Sequence, residues 1–178
     1  MEENMEENEV SSKQISIKYG LISGLIGVAF FVVINLLGQG MNQSLSYVGF
    51  LILAVIVYLA HKAFKDEGDG YLNYGQGLGI GTLISLVSSV VSGIFMFIYV
   101  SYINTGYIQQ LMDKTREDME NQGQSDEIID QSMEFMSMIF SPIALPIMGI
   151  VSTVFMGFII SLIVSAITQN KRPETELL

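Results

Sequence analysis

The sequence predicts an all-α integral membrane protein: a four-helix bundle with an extramembrane amphipathic helical hairpin between helices 3 and 4. Two observations predict this fold. No Asp, Glu, Lys or Arg occurs in residues 19–60, 70–112 or 135–170 of the 178-residue chain. Small residues also recur at four-residue spacing in two of these stretches, which places them along one face of a helix.

Composition alone does not identify the class of this protein, and the positions of the charged residues are needed as well. Half of the residues are apolar, and soluble domains reach a similar fraction, so the confinement of charges to the ends and two internal patches decides the class. The net charge of −10 argues against a nucleic-acid partner, because phosphates require a basic surface. The chain has no cysteine, which excludes disulfides and thiolate metal sites.

The termini are polar and flank a single domain. Residues 1–14 are predicted to form a disordered acidic N-terminus, since they carry five Glu residues and cannot bury apolar area. Residues 15–170 form the four-transmembrane-helix domain, and residues 171–178 form a C-terminal tail. The N-terminus lacks the basic region of a secretory signal, so we expect the first apolar segment to be retained.

Four segments are long enough to span a bilayer, which takes about 20 apolar residues. We place the spans at about residues 17–37, 45–64, 75–102 and 142–168. The uncharged linker between the first two is short, so the second span returns antiparallel to the first. Pro142 suits the first turn of the last helix, and Pro146, one turn further on, is expected to kink its start.

The last two spans each carry a ladder of small residues. Such faces let membrane helices approach closely where no hydrophobic effect drives their association, so we interpret these positions as helix-packing residues. They are Gly77, Gly81, Ser85, Ser89 and Gly93 in the third span and Gly149, Thr153, Gly157, Ser161 and Ser165 in the fourth. A shorter face of the same kind, Ser16, Gly20 and Gly24, begins the first span.

His61 is the only histidine of the chain and lies beside Lys62 and Lys65. No partner for catalysis or metal binding stands at helical spacing from it, so we expect an interfacial side chain without a chemical role. The acidic turn that follows fails the calcium-loop pattern, and the glycines after it fail the phosphate-loop pattern. The sequence therefore predicts no catalytic, metal or cofactor residues and no cofactor.

Residues 107–140 hold eight acidic and two basic residues. Gly123 suits a helix C-terminus and Ser125 a helix N-cap, so the segment is predicted to form an acidic helical hairpin. Its apolar stripes have 4-3-4 spacing: Ile108, Met112, Thr115 and Met119 in one helix, and Ile129, Met133, Met136 and Phe140 in the other. These stripes pack on each other, on the membrane surface or on a partner, and the acidic face either stays in solvent or is offered to a partner.

Short motifs in a fixed order along residues 15–171 resemble a known family. They are Lys18-Tyr19-Gly20-Leu21, Gly70-Tyr71, Tyr74-Gly75-Gln76, Tyr102-Ile103-Asn104, Ser141-Pro142, and Gly157 with Ile160-Ser161-Leu162-Ile163-Val164. The chain thereby resembles the bacterial membrane proteins grouped as domain of unknown function 4199. It departs from their pattern at Thr105-Gly106, where Pro-Asp is expected, and at Leu78-Gly79, where a bulkier pair is common.

The resemblance implies four transmembrane helices in a Gram-negative bacterium, and it implies no activity and no catalytic residues. The residues favour a non-enzymatic interaction or envelope-support component, whose partners are the lipid bilayer and either a protein at the acidic hairpin or a second copy. The alternative is a small transporter or channel subunit for a neutral solute, since ionisable residues that mark ion pathways are missing from the spans. An enzyme would require a nucleophile–base pair or a metal constellation, which the sequence lacks.

The distribution of Lys and Arg predicts the orientation in the bacterial inner membrane. Six basic residues flank the N-terminus, the second linker and the C-terminal tail, whereas the acidic hairpin has two. An excess of Lys and Arg marks the cytoplasmic side, so we expect cytoplasmic termini and a periplasmic hairpin. Alkaline phosphatase fused after Gln124 should be active and the same enzyme fused after Arg172 inactive; the reverse pattern would refute this topology.

Overall fold

The computed structural model describes residues 11–172, and the predicted all-α architecture is confirmed there. The helices are α1 (Ser12–Leu36), α2 (Gln43–Glu67), α3 (Tyr74–Ile98), α4 (Tyr107–Asn121), α5 (Asp126–Ile139) and α6 (Ala144–Thr168). A π-helical turn, Tyr99–Ile103, continues α3. Four helices in this part of the chain, α1, α2, α3 and α6, are long and apolar enough to cross a membrane.

Two helix starts differ from the predicted span boundaries. Helix α1 begins at Ser12, so residues 12–14, which we assigned to the N-terminal tail, are helical; residues 1–10 lie outside the described range. Helix α6 begins at Ala144, so Pro142 precedes the helix. Pro146 is then the residue in the first turn, where a backbone N–H has no intrahelical acceptor and a proline removes no hydrogen bond.

A glycine ends helix α4, and a capping box begins helix α3. After α4, Gly123 has a φ of 74°, and the N–H groups of Gly123 and Gln124 donate to the carbonyls of Glu120 and Met119. This is a Schellman motif, which confirms the predicted role of Gly123 as a C-terminal cap. At the start of α3, Asn73 and Gln76 form a reciprocal capping box, which the sequence analysis did not identify.

Helix α3 is the centre of the bundle. It packs most extensively on α6 and α1, while α2 closes the bundle by packing on the same two helices. Helices α4 and α5 pack on each other. The connection from α3 into α4 is fixed by edge-to-face aromatic contacts of Phe31 and Tyr107 with Tyr99.

Burial is concentrated at one end of the bundle. We call this end, near Lys18 and Lys65, the lysine end, and the opposite one the α4–α5 end. The core consists of Ile15, Leu53, Ile56, Val57, Ala60, Leu72, Ile80, Ile84 and Val164. These residues come from the first halves of α1 and α3, the second half of α6, the α2–α3 loop, and α2 from its middle onwards, so the core extends from the middle of the bundle to the lysine end.

Candidate functional site

The small-residue faces of α3 and α6 meet over three helical turns. A Cβ atom added at Gly77 would lie 2.9 Å from Ser165 Oγ, and one added at Gly81 would lie 2.8 Å from the Cβ of Ser161. One turn further, the positions are exchanged: a Cβ on Gly157 would collide with Ser85. At each level glycine of one helix faces serine of the other, so the two backbones approach more closely than larger side chains would permit.

The serine hydroxyls of this seam are mostly satisfied within their own helices. Ser85 Oγ donates to the Gly81 carbonyl at 2.9 Å, and Ser161 Oγ donates to the Gly157 carbonyl at 2.6 Å. Ser165 Oγ is the exception in the described chain, since it is buried without a hydrogen-bond partner. The seam is therefore held by close packing rather than by hydrogen bonds between the helices.

The ladders separate towards the α4–α5 end. Ser89 is buried and Thr153 half-buried, whereas Gly149 is exposed and a Cβ there would meet nothing within 4 Å. A Cβ on Gly93 would instead meet the side chain of Ile150, at 2.7 Å from Cδ1. The structure thus brings Gly77, Gly81, Ser85, Gly157, Ser161 and Ser165 into direct opposition, and it leaves Gly149 out of the helix contact.

The small residues of α1 pack against a different side of α3. Added Cβ atoms on Gly20 and Gly24 would lie 2.6 Å and 2.7 Å from the Cβ atoms of Val87 and Val91. Between these contacts, Ser88 Oγ donates to Ser23 Oγ at 3.2 Å. Helix α3 therefore has two close seams, one with α1 and one with α6.

The expectation for His61 was wrong. Its side chain is fully buried, with Nε2 2.9 Å from the Gly77 carbonyl oxygen and Nδ1 2.7 Å from Thr168 Oγ1. A carbonyl only accepts, so Nε2 donates to Gly77. The Thr168 hydroxyl lies between Nδ1 and the Val164 carbonyl oxygen, which is 2.8 Å from Oγ1. These partners do not stand at helical spacing from His61 along α2, because they lie on α3 and α6.

Further polar contacts close the lysine end around His61. Lys65 Nζ donates to the Thr168 carbonyl at 3.1 Å. Leu72 and Asn170 pair in an antiparallel β-bridge, and Arg172 forms an ion pair with Asp69. The Tyr71 backbone N–H and the Arg172 guanidinium hold the pKa of Asp69 below its ordinary value. The α2–α3 loop and the segment after α6 are thus joined.

Helices α4 and α5 carry the acidic surface. Arg116 of α4 reaches Asp130 of α5 at 2.8 Å, and Ile129 and Met133 are buried. Hydrogen bonds to Asp118 and then Glu117 raise the pKa of Lys114 above its usual value, so this ammonium stays charged. Within residues 11–172, no group of three or more His, Asp or Glu side chains is arranged to hold a metal ion.

One face of α5 leaves large apolar side chains uncovered. Phe135 is 63% exposed and Met138 is 70% exposed, and Ile128 lies two turns earlier on the same face with half of its surface exposed. We call these three residues the α5 ridge. The ridge lies opposite the buried stripe, so α5 has an apolar surface beyond the one it uses to pack on α4.

These features are those of an all-α membrane protein with four candidate spans and an acidic helix pair between the last two. The family model described as protein of unknown function (DUF4199) matches residues 18–170. The chain belongs to this family, as its sequence motifs predicted. Neither the curated proteins nor the solved structures contain a match.

The α3–α6 seam predicts a position-specific response to added volume. Gly81→Leu should lower the thermal unfolding temperature in detergent, because overpacking a close contact costs about 1–3 kcal/mol. Gly79→Leu is the matched control, since it lies on the same helix and an added Cβ there meets nothing within 4 Å. If both variants melt at the same temperature, the seam does not hold the bundle together.

The contacts of His61 predict a second stability effect. His61→Ala removes two buried hydrogen bonds and leaves a void, a loss of about 2 kcal/mol, which corresponds to a fall in melting temperature of roughly 4–8 °C for a chain of this size. Lys62→Ala, an exposed neighbour, should change it little. An unchanged melting temperature for His61→Ala would mean that the His61 contacts do not stabilise the fold.

Proposed function

We propose that this protein is a non-enzymatic interaction component of the bacterial inner membrane. Its four spans anchor an extramembrane hairpin, formed by α4 and α5, on the periplasmic side. That hairpin binds a protein whose surface is basic and has an apolar centre. The observation that carries the proposal is the α5 ridge, which the described chain leaves uncovered beside a strongly acidic surface.

Charge favours a basic partner over a second copy of this chain as the occupant of the ridge. Residues 107–140 have eight carboxylates and two basic groups, so a second copy meeting the same surface would bring like charges together. A partner with Lys or Arg around an apolar patch would gain both complementary charge and buried apolar area. Phe135 and Met138 are the anchors that such a partner would cover.

The polar groups of the bundle support a structural rather than a catalytic role. His61 is the one imidazole of the chain, and both of its ring nitrogens are engaged in contacts between helices. The carboxylates of α4 and α5 that form ion pairs do so with Lys114 and Arg116 on the surface. The hydroxyl beside His61, that of Thr168, is buried together with the imidazole between the helices, whereas a nucleophile–base pair that acts on a substrate must be open to that substrate.

The alternative of a transporter for a neutral solute receives less support. Glycine–serine contacts close the α3–α6 seam at the lysine end, and the β-bridge between Leu72 and Asn170 lies across the same end. A solute path along this seam would require the two helices to separate. Flux of a neutral solute into liposomes that contain the purified protein would favour this alternative.

The α5 ridge predicts which variants lose the partner. The double variant Phe135→Ser/Met138→Ser should lose the partner retained by the unaltered protein in mild detergent, as quantified by mass spectrometry after affinity purification. The partner should also dissociate as salt is raised, because salt screens exposed charges. The matched control is Leu36→Ser/Leu37→Ser, a pair of exposed apolar residues at the same end of the bundle, which should keep the partner.

Two results would contradict the proposal. One is an identical set of bound proteins for the ridge variant and the unaltered chain. The other is capture of only a second copy of this chain, which would assign the ridge to self-association instead of a basic partner.

A further inference from the structure

The α4–α5 end of the bundle is much less tightly packed than the lysine end. In α1 the buried residues stop at Gly24, twelve residues before the helix ends. In α6 Pro146 is the one buried residue before Gly157. The buried core residues of α2 begin at Leu53, ten residues into that helix. Four apolar helices therefore leave space between them in the half of the bundle next to α4 and α5.

Part of that space is a cavity of about 320 Å³ between α1, α3 and α6. Its walls are formed mainly by small and apolar residues, among them Gly27, Phe31, Ser92, Gly93, Gly149 and Thr153. The space exists because glycine replaces a side chain on α1 and on α6. A Cβ on Gly149 would meet nothing within 4 Å, and one on Gly27 would meet only Ser92 Oγ, at 3.7 Å.

The cavity has the size and lining of a ligand site. Ligand pockets typically have volumes of about 300–1,000 Å³, and an apolar cavity of about 150 Å³ already accepts benzene and stays free of water. None of the lining residues in the described chain is charged. The hydroxyls on the wall come from Ser89, Ser92 and Thr153, and Ser89 Oγ already donates to the Leu86 carbonyl at 2.9 Å.

Volume and polarity decide which occupant fits. Water is a poor occupant, because it requires two to four polar partners and most of the wall offers none. A helix of a partner protein is too large, since one turn about 5.4 Å high and 10 Å across displaces more than about 400 Å³. A single hydrocarbon chain is narrow, apolar and abundant at this depth, because the cavity lies between segments that are long and apolar enough to span the bilayer.

We propose that this cavity binds one hydrocarbon chain of a membrane lipid. The chain lies between α1 and α6 against α3, and it covers Gly27 and Gly149. Phe31 lines the cavity and also contacts Tyr107, the first residue of α4, with ring centroids 6.1 Å apart. The bound chain therefore contacts the aromatic cluster from which the α4–α5 segment begins.

Photocrosslinking from within the bilayer tests this proposal. The full-length protein is reconstituted in nanodiscs of phosphatidylcholine that contain a small fraction of the same lipid with a diazirine at the end of one acyl chain. After illumination, the labelled positions are mapped by peptide mass spectrometry. Labels should concentrate on side chains of the cavity wall, such as Val28, Phe31 and Met96, relative to neighbouring exposed residues outside the cavity, such as Ile94 and Val151.

Filling the cavity should remove these labels. Gly149→Phe places a ring in the open space and should reduce labelling of the cavity-wall side chains several-fold without lowering the melting temperature. Gly79→Phe is the matched control, because a Cβ at Gly79 also meets nothing within 4 Å but lies in the groove next to Val154 and Phe158; it should leave the labelling unchanged. If Gly149→Phe does not fold, Gly27→Leu is used in its place, because it fills the same cavity from α1.

The proposal is overturned by any of three results. The first is an even distribution of labels over all lipid-facing residues, as for lipids that merely surround the protein. The second is labelling of the cavity wall that persists in both cavity-filling variants. Crosslinks between two copies of the chain at the cavity wall would instead assign the space to a second copy.

Discussion

The close approach of α3 and α6, glycine against serine, is the contact on which the rest of the bundle depends. In a bilayer, two leucine-covered helices gain little by meeting, because lipid tails are as apolar as they are. Short side chains change this balance, since they allow backbone-to-backbone van der Waals contact over several turns. At Gly81 the approach is so close that an added Cβ would also come within 2.9 Å of Val57 on α2, so the same contact positions a third helix.

The two ends of the bundle are held together by different contacts. At the lysine end, the seam is reinforced by the hydrogen bonds of His61, by the β-bridge between Leu72 and Asn170, and by the ion pair between Asp69 and Arg172. At the α4–α5 end, aromatic contacts hold α1 to α3 and α4. Helix α6 meets α3 there through Ile150 at Gly93, while Gly149 faces open space. A bundle that is rigid at one end and loosely packed at the other can admit a molecule between its helices without losing its fold.

Sequence reasoning identified the features that depend on local pattern. The absence of charge placed the four long helices, the spacing of Gly81 and Ser161 identified two helix-packing faces but not which helix each one meets, and Gly123 marked the end of α4. It did not identify features that depend on distance between helices. Gly149 has the same spacing as Gly157, yet it makes no helix contact, because a repeat shows which face is small and not how long two helices stay together. His61 looked isolated because its partner Thr168 is 107 residues away along the chain.

The two-sided character of α3 has a consequence for biosynthesis. Its α1-facing side, with Val87 and Val91 against glycines of α1, can be completed as soon as the first three spans have left the ribosome. Its α6-facing side cannot, because α6 follows only after the α4–α5 segment has been translated. During that interval the serines and glycines of the unfinished side face lipid. The last segment of the chain to be synthesised therefore closes the fold, and a chain truncated before Ala144 lacks the helix that covers this face of α3.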